Sequence, residues 1–144
     1  MPALRWDCKE RGCFNWKKRP KIEVFDECLP GKIAFGDVDG IVEISGNALL
    51  LEWKGEPQEL AQGQRIMYQR LTQSESFAVF MFAGDARDMS ITHGRVAFAG
   101  KIEDWSPMTL EEAKQRIRDW SAWALKNPRS NRPALRAVAG GANA

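Results

Sequence analysis

Four acids stand where acids are disfavoured. Asp37, Asp39 and Glu43 fall in one predicted strand, and Glu52 falls in the next, between Leu51 and Trp53. Side chains alternate along a strand, so Asp37, Asp39 and Glu43 share one face of theirs, and Glu52 and Lys54 share one face of the other. Two carboxylates held close together suit one hard cation, Mg2+ or Mn2+, with water completing an octahedral shell. A lysine two residues after the glutamate sets an ammonium beside that cation, where it can orient a water or steady developing phosphorane charge. An ordinary cross-strand ion network is the alternative use of the same residues.

The elements that position them follow from the pattern around them. The segment KIAFGDVDGIVEI from Lys32, the turn signal Ser45-Gly46-Asn47 and the run ALLLEWKG predict an antiparallel hairpin. With Gly46-Asn47 as a two-residue loop, Ser45 pairs with Ala48, Ile41 with Glu52 and Asp39 with Lys54. Asp39 and Glu52 are then diagonal neighbours roughly 7 Å apart at the backbone. A three-residue loop would turn the strand over and separate them. Pro57 opens a predicted helix to about Thr72, with Leu60, Gln64, Met67, Tyr68 and Leu71 on one stripe. Arg65 and Arg70 point off that stripe, away from the sheet. FAVFMF at 77–82 reads as a buried strand and 90–99 as another. Thr109 and Glu112 form a capping box for a last helix, whose stripe is Leu110, Ala113, Ile117, Trp120 and Ala124 and which stops before Pro128. A short helical stretch is expected near Glu23–Cys28. The fold class is α/β, a mixed central β-sheet flanked by helices.

Asp39, twelve residues, then Glu52-Trp53-Lys54 resembles the core of the PD-(D/E)xK nuclease superfamily, and Gln64 to Tyr68 resembles the Q-x-x-x-Y motif of its RecB-like branch. GDVDGIVEISGNALLLEWKG followed by GQRIMYQRL is also similar to the virus-type replication-repair nuclease (VRR-NUC) pattern. The resemblance covers about Phe35 to Leu71, with Val38 where the superfamily's name has proline. It implies a restriction-endonuclease-like core and a Mg2+-dependent deoxyribonuclease, with Asp39, Glu52 and the Trp53 carbonyl on the metal. Lys54, Gln64 and Tyr68 complete the catalytic set. A further acid on a preceding helix is common in the family. Glu10, Glu23 and Glu27 compete for it, Glu27 being preferred, and Asp37 competes with Asp39 for the metal. A non-catalytic nucleic-acid-binding module with a nuclease-like fold is the alternative.

Charge and composition set the surroundings. The 144 residues carry a net charge of +2, but residues 5–21 hold seven Lys/Arg against two acids and residues 126–144 hold four against none, leaving a body of −7. Basic ends suit phosphate, and Lys17-Lys18-Arg19 beside Phe14 and Trp16 is a basic and aromatic cluster of the kind that grips unpaired DNA. One domain over residues 1–126 and a disordered basic tail over 127–144 are expected. No apolar run approaches the ~20 residues of a membrane span, and three cysteines fit reduced cytosolic thiols. Cys8, Cys13 and Cys28 could offer zinc three ligands, with Asp7 or His93 as a fourth, but structural thiols are favoured. His93 is read as structural. A chain of this length leaves no separate sequence-reading domain, so structure-dependent or nonspecific cleavage of DNA is expected, with a homodimer possible. Repair, recombination and phage or mobile-element processing are all open. Crowding of Asp37, Asp39 and Glu52 without a cation predicts that Glu52→Gln raises metal-free stability.

Overall fold

The structure, a computed structural model, describes residues 20–129. The chain divides into two compact units, Met1–Asp39 and Gly40–Ala144. In the first, a 3-10 helix spans Ile22–Cys28 and the Asp26 carboxylate accepts the Phe35 N–H at 3.0 Å. Cys28 is an exposed free thiol, not a core one.

The second unit holds a mixed sheet. Its elements are β1 (Gly40–Ile44), β2 (Asn47–Lys54), helix α1 (Gln62–Leu71), β3 (Phe77–Asp85), β4 (Ser90–Phe98), the short β5 (Lys101–Ile102) and β6 (Ser106–Pro107), and helix α2 (Leu110–Lys126). The strand order is β1-β2-β3-β4-β5, with β6 also pairing β4. Only β2 and β3 run parallel, as the helical crossover through α1 requires. A mixed sheet flanked by helices is thus the fold class that the sequence pattern predicts.

Strand β3 is apolar on both faces because both are covered. Phe80 and Phe82 pack with Leu49, Met108, Ala113, Trp120 and Ala124 under α2, while Val79 and Met81 pack with Leu50, Leu60, Tyr68 and Ala97 under α1. Burying each larger apolar side chain contributes about 1.5–3 kcal/mol. The Thr109–Glu112 capping box forms as expected: Thr109 Oγ1 accepts the Glu112 N–H at 3.1 Å and Glu112 Oε1 accepts the Thr109 N–H at 2.8 Å.

Three expectations are corrected. The first strand begins at Gly40, not near Lys32, so Asp37 and Asp39 precede it. Glycine at 36 and aspartate at 37 and 39 disfavour strand. The hairpin turns on Ser45-Gly46, both at positive φ (55° and 89°), so Ile44 pairs with Asn47 and Ile41 with Leu50. Asn47 leaves the turn because its amide is buried at the end of α2, donating to the carbonyls of Ala124 (3.3 Å) and Asn127 (3.0 Å). The slip is two residues, so Ile41 and Glu43 still share the face of Glu52. Finally, α1 starts five residues after Pro57, and Met67 and Leu71 are exposed, 43% and 38%. Its inward line is Gln64, Tyr68 and Thr72, four residues apart.

The segment after α2 is also anchored at its start. The Arg129 N–H donates to the Ser45 carbonyl at 2.7 Å, and its guanidinium lies over Trp123 at 5.6 Å. Residues 127–129 are therefore part of the second unit's fold. Among the described residues, no helix is long and apolar enough to cross a membrane.

Candidate active site

Even-numbered residues of β2 face α1, so Ala48 and Leu50 fill the core on that side and Glu52 and Lys54 continue the line toward the strand's end. Odd-numbered Trp53 packs on the opposite face with the α2 core. Helix α1 crosses above, and its inward line brings Gln64 and Tyr68 down onto the two charges.

The four side chains form one network. Tyr68 Oη donates to Glu52 Oε1 at 3.1 Å, and Gln64 Nε2 donates to Glu52 Oε2 at 3.3 Å. Lys54 Nζ lies 3.4 Å from Glu52 Oε2 and donates to Gln64 Oε1 at 3.4 Å. The Gln64 amide also reaches Tyr68 Oη at 3.3 Å. Gln64 thus uses both ends of its amide, accepting from the ammonium and donating to the carboxylate, which fixes its orientation. Tyr68 is buried, and the Glu52 and Lys54 side chains are each only 14% exposed. A half-buried ion pair held by two neutral hydrogen-bonding groups keeps a directed ammonium without full desolvation.

Glu52, Lys54, Gln64 and Tyr68 are therefore brought together as the spacing predicts. Asp37, Asp39 and Glu27 belong to the first unit, Glu27 within the 3-10 helix and Asp39 immediately before Gly40, the residue that pairs with Leu51. Glu43, the other strand acid, closes the turn by accepting the Gly46 N–H at 2.6 Å. Arg65 is half-buried and pairs with Glu59 at 2.9 Å, and Arg70 is exposed in the last turn of α1. His93 Nδ1 lies 3.0 Å from Thr92 Oγ1. Lys17, Lys18, Arg19, Asp7, Glu10, Cys8 and Cys13 lie outside the described residues.

Among the described residues, no three of His, Cys, Asp and Glu gather as a metal-binding group. The donors that the resemblance assigns, Asp39, Glu52 and the Trp53 carbonyl, are nevertheless all hard oxygens, the class that Mg2+ and Mn2+ take. Glu52 Oε2 already faces both Gln64 and Lys54, whereas, among the described residues, Oε1 accepts only from Tyr68 and keeps lone-pair capacity. By donor chemistry, Glu52 and the Trp53 carbonyl, both of β2, suit such a cation.

Sequence reasoning missed Arg95, which is 2% exposed on β4. Glu52 pairs with Met81 and Met81 with Arg95, so the arginine lies on the face of Glu52, two strands away. The signal was its alternation with Ala97, which puts a charge on a buried face. Burial holds its pKa below the usual guanidinium value; the Glu59 carboxylate opposes that shift and the Arg65 charge adds to it.

A half-buried Glu-x-Lys pair at a strand end, clasped by Gln and Tyr one helical turn apart, on a mixed sheet flanked by helices, is what the second unit builds. Comparison of the chain with protein-family models, curated proteins and solved structures gives no match.

Proposed function

We propose that the chain is a divalent-metal-dependent nuclease that hydrolyses phosphodiester bonds of DNA. The observation that supports it is the convergence of Glu52, Lys54, Gln64 and Tyr68 within 3.1–3.4 Å of one another's polar atoms. Glu52 and the Trp53 carbonyl would hold Mg2+ or Mn2+, and the resemblance assigns Asp39 to the same ion. When bound, the cation supplies Lewis-acid polarisation of a phosphoryl oxygen and a water of lowered pKa.

The chain's own residues supply the rest. Lys54 orients a water in line with the scissile bond and offsets charge on the phosphoryl oxygens as the water oxygen, its proton given up to solvent, joins phosphorus and the ester oxygen departs with a proton from solvent. Gln64 aims the ammonium through its carbonyl oxygen. Tyr68 holds Glu52 by Oε1, whose second lone pair would serve the cation. Arg65 and Arg70 line the helix above and, with Lys17, Lys18 and Arg19, would meet DNA phosphates. Structure-dependent or nonspecific cleavage, a reducing cytosolic setting and a homodimer belong to the same proposal.

A labelled panel of linear, branched and single-stranded DNAs, incubated with Mg2+ and with Mn2+, tests it. Metal-dependent cleavage of at least one member is expected. Retained binding without cleavage of any member in either metal would make the chain a non-catalytic nucleic-acid-binding module instead.

A further inference from the structure

Arg95 has no evident business where it lies. It is 2% exposed, yet among the described residues it makes no ion pair. Its Nε has no hydrogen-bond partner, and its two Nη groups reach only backbone carbonyls, Glu103 and Gln58, each at 3.4 Å. Its guanidinium lies 4.6 Å from the centroid of the Trp105 ring. A buried charge so loosely satisfied is weak as a device for stability, and an apolar side chain of similar length would fill the same space beside Met81.

The Gln58 carbonyl shows what arginine can do there that an apolar residue cannot. Trp105 Nε1 donates to that oxygen at 2.9 Å, so two donors from beyond β3 converge on one acceptor. Gln58 lies midway in the connector from Lys54 to Gln62. The next residue, Glu59, binds Arg65 in the first turn of α1, and Leu60 is buried in the core beneath. Helix α1 carries no side-chain cap at its start. Burial of Tyr68 and Thr72 seats the helix on the sheet, and the connector then governs its first turn, where Gln64 lies.

We infer that Arg95, with Trp105, is a positioning residue that sets the Gln64 amide against Lys54 and Glu52 by clamping the Gln58 carbonyl. The inference rests on the nuclease reading for its importance to turnover, but the geometry it claims is measurable without turnover.

The test compares Arg95→Lys, Arg95→Met and Trp105→Phe with Met108→Ala, a core variant on the opposite face of the sheet. The readouts are the Gln64 side-chain amide resonances, the Lys54 ammonium proton resonances, and kcat and KM for whichever DNA is cleaved. The Gln64 and Lys54 resonances should move in Arg95→Met and, by less, in Trp105→Phe, which loses one donor and keeps the ring. Arg95→Lys, which keeps the charge and can serve one carbonyl, should restore part of the wild-type signature. Cleavage should fall about tenfold in kcat with KM little changed. If Arg95→Met does not fold, Trp105→Phe and Arg95→Lys decide. Wild-type Gln64 and Lys54 signals in both, or equal shifts in Met108→Ala at matched loss of melting temperature, would overturn the inference. Absence of cleavage by the wild-type chain would sink the nuclease reading and leave the NMR comparison standing.

Discussion

The two faces of one sheet are built to different rules. Under α2, the core is made of Leu49, Phe80, Phe82 and Trp120, and the helix that covers it is 17 residues long and boxed at its start. Under α1, the helix is 10 residues long and uncapped, and the face it covers carries Glu52, Lys54 and Arg95 among the apolar side chains. Partly buried charges and an unfastened helix cost stability, so that face gives up what the other supplies. One face holds the fold, and the other is free to hold chemistry.

The largest effect should come from the apolar face. Trp120→Ala removes a ring that is 7% exposed and leaves a cavity, which should cost about 3–5 kcal/mol. The midpoint of chemical denaturation measures it. A loss under about 1 kcal/mol would mean that α2 is not the stabilising layer.

Lys54→Ala on the other face should do the reverse. Removal of one directed charge from a developing oxyanion lowers kcat by about 10²–10³. The melting temperature should fall, but by less than in Glu52→Gln, because Tyr68 and Gln64 still bind the Glu52 carboxylate. Near wild-type turnover in the purified variant would remove Lys54 from the mechanism.

Glu52→Gln sharpens the contrast by reversing an expectation. Crowded carboxylates predict a gain in metal-free stability. The network predicts a loss, since Glu52 accepts from Tyr68 and Gln64 and faces Lys54 at 3.4 Å. Loss of charge-assisted bonds to a half-buried ion pair should cost about 1–3 kcal/mol, read as a lower melting temperature in chelator. A rise would restore carboxylate repulsion as the dominant force.

Local patterns were legible in the sequence and long-range fastenings were not. The turn signal Ser45-Gly46-Asn47 and the run after it pointed to β2, an apolar run to β3, and Thr109 with Glu112 to the start of α2, because each signal lies within a few residues of what it specifies. The hairpin register was misplaced because Asn47 is drawn out of the turn by carbonyls 77 and 80 residues further on. The start of α1 was misplaced because Gln58 is held by Arg95 and Trp105, 37 and 47 residues away. Glu52, Lys54, Gln64 and Tyr68 were found together because a motif fixes their spacing. Arg95 belongs to no motif, and only its place in the alternation marked it.

The smallest effect should come from a charge pair on neither face. At the β3–β4 hairpin, Asp85 accepts from Arg87 three times, from the backbone N–H at 2.9 Å, from Nε at 3.1 Å and from Nη2 at 2.8 Å. That geometry is tighter than the 3.4 Å Glu52–Lys54 pair, but Arg87 is 91% exposed. The Arg87 side chain, and then its backbone N–H, hold the Asp85 carboxyl below its ordinary value of 3.8. A carboxyl depressed on folding stabilises the native state above the unfolded-state value, and that contribution fades as pH falls through 3.8 and below. Asp85→Asn should therefore be slightly less stable than wild type at neutral pH, with the gap closing in acid. Solvent and salt screen such a pair, so the gap should be well below that of Glu52→Gln and should shrink further in 1 M salt. Denaturation of both variants at pH 7 and pH 3 makes the comparison. If Asp85→Asn costs as much as Glu52→Gln, contact distance and not burial sets the strength of charge pairs here, and the polar face of the sheet loses its distinction.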